Sequence, residues 1–156
     1  MRPVDLPDDF REFLQCLNAA EVQYLVVGGH AVSFHGYPRF TRDVDVVVVP
    51  DRDNAERFIV ALQQFGFGSL ELTAEDFTRP VTVALGRAPE QIDIMTFIKG
   101  CDVARAWDNR VMGQLDTVTV HFISKADLLV NKRAVGRPGD LADIARLEIL
   151  GDRPFP

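Results

Sequence analysis

The chain has 156 residues, 47% hydrophobic and 26% charged, which suits one domain with a substantial core and excludes global disorder. Its formal net charge of -6 at pH 7 argues against broad non-specific binding to nucleic acid, although a local basic patch could still hold RNA. Cys16 and Cys101 are unclustered, and the start carries Asp5, Asp8 and Asp9 rather than a basic, signal-like region; reduced thiols in the cytoplasm are expected, not a disulfide or a zinc site. No apolar stretch approaches the ~18 residues of a membrane span.

Asp8 or Asp9 is placed to cap a first helix with Phe10, Phe13, Leu14 and Leu17 on one side. Tyr24 to Val27 predicts a short strand. Gly28 and Gly29 then turn the chain into a helix near Ala31 to His35, stopped by Gly36 and Pro38. Val44 to Val49 is apolar on both faces and predicts a central strand. Asp53 is expected to cap a helix with Ala55, Phe58, Ile59 and Leu62 inward, ending near Gly66. Pro80 to Leu85 and Gln91 to Phe97 predict an antiparallel hairpin around Gly86-Arg87-Ala88-Pro89.

Val103 to Asp108 suits a short helix. Val118, Val120 and Phe122 alternate with Thr117, Thr119 and His121, as in a strand with one wetter face. Ser124, with Asp127 three residues on, starts a helix, and a last one follows Pro138. The Gly136-Arg137-Pro138-Gly139 break is the one linker-like stretch, with helices on both sides. A single domain over 1–156 is therefore expected, with C-terminal helices from about residue 124 to 150. The fold class is α/β, a mixed β-sheet flanked by helices.

Chemistry concentrates between Gly28 and Asp93. Without Cβ atoms, Gly28 and Gly29 let a ligand come close to the backbone where a strand hands over to a helix, whose free N–H groups suit a phosphate. Side chains alternate along a strand, so Asp43 and Asp45 share one face. Two such charges repel unless a cation lies between them. A hard divalent metal shared with nucleotide phosphates fits, Mg²⁺ first and Mn²⁺ as its substitute. Asp93 interrupts an apolar strand in opposite phase to Ile92 and Ile94. If its strand lies beside that of Asp43 and Asp45, three carboxylates converge and could hold two divalent ions about 4 Å apart, the geometry of in-line phosphoryl displacement.

The Gly28-Gly29 turn, the Asp43-Val44-Asp45 pair and the later Asp93 between apolar residues resemble, in order and spacing, the nucleotidyltransferases of the polymerase-beta superfamily. The lead-in from Arg39 to Asp43 and the tail from Lys132 to Asp143 are similar to small prokaryotic members, among them abortive-infection toxins and enzymes that nucleotidylate antibiotics. The likeness spans about residues 20 to 145. It implies a minimal nucleotidyltransferase fold and Mg²⁺-dependent transfer of a nucleoside monophosphate from an NTP to an acceptor hydroxyl on RNA, protein or a small molecule. It also implies Asp43, Asp45 and Asp93 as catalytic metal ligands and Gly28 and Gly29 as phosphate contacts. A toxin-type enzyme with an antitoxin-like partner, or a homodimer, falls within that expectation. A non-catalytic nucleotide-binding or partner-binding module on the same fold is the alternative.

Strand phase puts Thr41, and Arg39 if the chain is already extended there, on the face of the two acids; Arg39 and Arg42 are candidate phosphate ligands. Lys132 is the candidate triphosphate contact on the helix it shares with Lys125. Asp140 and Asp143 read as structural partners of Lys132 or Arg137. His30, His35 and His121 lack metal-ligand spacing; His30 could face the phosphate pocket, with packing as the competing role. Trp107 reads as core.

Overall fold

The computed structural model describes residues 7–36, 41–66, 71–87 and 90–150. Six strands form one mixed sheet in the order β3-β4-β2-β1-β6-β5. In chain order these are β1 (Tyr24–Val27), β2 (Val44–Val48), β3 (Thr82–Arg87), β4 (Glu90–Met95), β5 (Val111–Leu115) and β6 (Val118–Phe122). The helices are α1 (Asp8–Ala19), α2 (Gly28–Phe34), α3 (Arg52–Phe65), α4 (Val103–Asp108), α5 (Lys125–Val135) and α6 (Pro138–Leu150). The α/β class, the central position of β2 and the β3–β4 hairpin agree with the sequence reading.

Alternation explains the sheet. Val44, Val46 and Val48 share one face of β2, and Asp45 and Val47 the other. All four valines are buried, because β2 lies between antiparallel β1 and parallel β4. Helices α1 and α3 pack on each other, α1 against β6 and α3 against β2, while α2 lies on β1 and β2. Phe13, Leu14, Leu17 and Phe58 bury their apolar stripes in the core. Gly66 ends α3 with φ +101, where a residue without Cβ is favoured.

Several expectations about element ends are corrected. Helix α1 begins after Pro7 and has no side-chain cap; Asp8 and Asp9 lie in its first turn instead. Asp51, not Asp53, caps α3, accepting a hydrogen bond from the Asn54 N–H at 3.3 Å. Helix α2 starts at Gly28 itself, so the glycines form its first turn rather than a loop before it. The sheet ladder of β2 starts at Val44, leaving Asp43 just ahead of it. The β3–β4 turn residues 88–89 and Pro38 lie outside the described residues.

Two elements escaped the sequence reading: edge strand β5, and a 3₁₀ turn over Ala74–Thr78 closed by a reciprocal cap between Thr73 and Asp76. At the C-terminal end, Ser124 caps α5 through the Asp127 N–H at 3.1 Å, and α6 packs on α5. Cys16 and Cys101 are free and half-buried. No helix among the described residues is long and apolar enough to cross a membrane.

Candidate active site

Asp45 and Asp93 are brought face to face by register. In the parallel β2–β4 ladder Asp45 is the partner of Asp93, and in the antiparallel β1–β2 ladder it is the partner of Val27. Directly opposed residues point to the same face. Burial first, then the charges of the adjacent Asp93 and of Asp43, push the Asp45 carboxyl up to about 7; the Lys132 charge acts the other way. Gln91 donates to Asp93 Oδ1 at 2.5 Å and so orients it from the same strand.

Gly28 makes this packing possible. It has φ +67, and a Cβ built on it would lie 2.1 Å from Asp45 Oδ2. The Asp45 carboxyl therefore rests against bare backbone at the start of α2. Gly29 gives the same room to Thr41, whose Oγ1 would lie 3.0 Å from a Cβ there. Thr41 precedes the strand rather than belonging to it, and its hydroxyl donates to the Asp43 carbonyl at 3.3 Å.

A cleft of about 350 Å³ opens from this centre toward α5 and α6. Asp45, Gly28, Lys132 and Arg137 line it, with Met95, Phe97, Ile98 and Leu128 supplying apolar wall. The turn after β4 is held to α5 by the Asn131 side chain, which donates to the Lys99 carbonyl at 2.9 Å. Gly100, at φ +86, lets that turn approach Ala134 closely.

Lys132 is buried and charge-balanced. Its Nζ lies 3.2 Å from Asp140 and 3.0 Å from Asp143, both also buried. Burial alone would raise the Asp140 carboxyl, but hydrogen bonds from Arg137 and Lys132 and the Lys132 charge hold it below the usual carboxylate range. Asp140 and Asp143 are thus the ion-pair partners expected from their spacing.

Other candidates fall elsewhere. Arg39 lies outside the described residues. Arg42 is exposed and does not line the cleft. His30 is buried on α2, and burial lowers it to about 4, so it stays neutral rather than facing the phosphate pocket as a cation. Trp107 is half-buried at the edge of a separate cleft. Gln91 and Asn131 were not singled out from the sequence, because each acts through a register or a turn that local pattern does not reveal.

The donor set suits a divalent metal. Two carboxylates with nucleotide oxygens are the usual protein share of a Mg²⁺ site, and the acid pair is the buried like-charge arrangement that a cation relieves. Among the described residues no three His, Cys, Asp or Glu side chains form a group arranged to hold a metal by themselves. Asp43 stands one position ahead of the strand and bears on Asp45 through its charge.

Residues 5–153 match the family described as "Nucleotidyltransferase of unknown function (DUF6036)". The chain belongs to this nucleotidyltransferase family. The fold agrees: the crystal structure of the lincosamide antibiotic adenylyltransferase LnuA, lincomycin-bound, superposes with TM-score 0.54 at 16% identity, covering 94% of this chain and 98% of that one. No curated protein matches the sequence. Family membership thus supports nucleotidyl transfer as the general class of activity, and the structural likeness supports the fold.

Proposed function

We infer that the chain is a divalent-metal-dependent enzyme that moves a nucleoside monophosphate from an NTP to an acceptor hydroxyl. The observation that carries this reading is the Asp45–Asp93 register on adjacent central strands, packed against the bare backbone of Gly28. In the reaction a bond forms between the acceptor oxygen and the α-phosphorus, the bond from that phosphorus to the bridging oxygen breaks, and pyrophosphate leaves. Asp45, Asp93 and Asp43 would hold the metal, Mg²⁺ or Mn²⁺, which when bound neutralises phosphate charge and aligns the entering and leaving oxygens. Asp93, oriented by Gln91, takes the acceptor proton. Gly28 and Gly29 offer backbone N–H groups to phosphate, with Thr41 alongside. Lys132 presents its charge to the triphosphate from the cleft wall, held there by Asp140 and Asp143. Arg39 and Arg42 remain candidate phosphate contacts on the lead-in to β2.

A small molecule is the favoured acceptor. The cleft is of small-molecule size and partly apolar, and LnuA, which shares the fold, is a lincosamide antibiotic adenylyltransferase. A toxin-type enzyme acting on RNA or protein, with an antitoxin-like partner or as a homodimer, is the competing acceptor assignment. The non-catalytic nucleotide-binding or partner-binding module on the same fold is the alternative reading.

Transfer of label from each α-labelled NTP with Mg²⁺ into a cell extract, divided into RNA, protein and small-molecule fractions, tests these readings together. Label in the small-molecule fraction that disappears with Asp45→Ala is expected, with the variant still folded by circular dichroism. Label in RNA or protein would select the toxin-type acceptor. Transfer unchanged in Asp45→Ala would sink the assignment, and Mg²⁺-dependent NTP binding without transfer would select the module.

A further inference from the structure

The second large cleft lies at the other end of the sheet. The active-site residue Gly28 follows the C-terminal end of β1, whereas Val22 and Gln23, before its first residue, line a cleft of about 490 Å³. The four residues of β1 separate Gln23 from Gly28, five steps of extended chain or roughly 16 Å. The cleft is within the size range of small-molecule sites, and its lining is unlike that of the first.

Its chemistry is a planar aromatic platform with two arginines. The Arg110 guanidinium lies 3.8 Å from the centre of the Trp107 ring and donates to the Trp107 carbonyl at 3.0 Å. Trp107 in turn meets His121 edge to face, with centroids 4.8 Å apart. Arg57, from α3, lines the same cleft, and among the described residues neither Arg57 nor Arg110 forms an ion pair. Glu21 and the side-chain amides of Asn18 and Gln23 add hydrogen-bonding groups on another wall. Two guanidiniums against one carboxylate leave the cleft positive in a chain of net charge -6.

The frame around these groups is rigid. Asn54, one turn before Arg57 on α3, accepts from the Gln23 N–H at 2.6 Å and donates to the Gln23 carbonyl at 2.9 Å. The Tyr24 hydroxyl donates to Asn18 Oδ1 at 2.8 Å, and Asn18 donates to the Thr119 carbonyl at 2.8 Å. Three segments distant in sequence, the α1–β1 turn, α3 and β6, are thereby joined around the opening. A guanidinium stacked on an indole keeps its outer face for a second planar group, and a neighbouring unpaired guanidinium fits a carboxylate or phosphate in a fork.

We propose that this cleft is a second ligand site, separate from the Asp45 centre, for a planar nitrogen-bearing ring that carries an anionic group, a nucleoside monophosphate being the simplest compound with both. The ring stacks on the Arg110–Trp107 pair, its amino hydrogens reach Glu21 or Asn18, and the anion is held by Arg57.

Trp107 is the only tryptophan in the sequence, so its fluorescence reads this cleft directly. Adenosine monophosphate titrated without divalent cation should give a saturable change in emission. Adenosine alone and inorganic phosphate alone should each give a weaker response at the same concentrations. Arg57→Gln should raise the Kd about tenfold, the loss of one charge-assisted hydrogen bond, and Arg110→Gln should do likewise. Both positions are exposed, and matched thermal melts would show that the variants fold. Asp45→Asn should leave the titration unchanged. A flat titration, equal response to phosphate alone, a response that survives both arginine variants, or one lost in Asp45→Asn would each overturn the proposal. None of these outcomes depends on whether nucleotidyl transfer occurs.

Discussion

Lys132 shows how much a single residue can commit. Its ammonium is buried between Asp140 and Asp143 at 3.2 and 3.0 Å, and removing one partner of such a group leaves uncompensated charge out of water. Lys132→Met is expected to cost about 3–5 kcal/mol in urea unfolding, and adding Asp140→Asn and Asp143→Asn should recover much of it. His30 sets a pH dependence. Its folded value of about 4 lies below the ordinary 6.5, so the unfolded chain binds the extra proton first as pH falls. Stability is complete above about pH 6.5 and is lost between there and pH 4, by on the order of 2–3 kcal/mol. His35 and His121 are also lowered by burial, so the comparison of His30→Leu with the parent isolates this residue: the variant's stability should fall less across that window. Strand phase singled out Asp45 and Asp93 in the sequence, while their pairing depended on the strand order. The commitment of Lys132 was half legible, since spacing suggested its acid partners but not that all three are buried.

At the scale of elements, the weak points of the sequence reading were those without alternation. Val111-Met112-Gly113-Gln114-Leu115 has no clean period, because β5 is an edge strand with Val111 and Met112 largely exposed. Its glycine has a packing reason. A Cβ at Gly113 would lie 2.3 Å from Phe34 Cε1, and Phe34 stacks on Phe122 with centroids 4.0 Å apart. Gly113→Ala should therefore destabilise by about 1–3 kcal/mol, the usual cost of overpacking, measurable by denaturant melts. The added Phe34→Leu change should relieve part of that loss. The start of α2 was misplaced for a different reason. Two glycines read as a turn on propensity, yet their freedom serves the approach of Asp45 and Thr41, a tertiary demand invisible to local pattern.

Across the whole molecule, the sheet order places β1 and β2 at the centre and β3 and β5 at the edges. Amide exchange in Leu25 to Val27 and Val46 to Val48 should require global unfolding, whereas β5 should exchange through local opening; equal protection of β5 and β2 would contradict this. The order could not be read from the chain. Asp45 and Asp93 meet only because β4 returns parallel to β2 after a helix and a hairpin strand, and register across such a connection depends on burial on both faces. Class and helix count, by contrast, followed from apolar period. The lysines are three, Lys99, Lys125 and Lys132. Lys132 is buried and the Lys125 Nζ is shielded from solvent, which leaves Lys99, exposed on the lining of the candidate active-site cleft, as the side-chain amine open to acylating reagents. A reagent that acylates lysine side chains would therefore couple this protein at the mouth of its candidate active-site cleft.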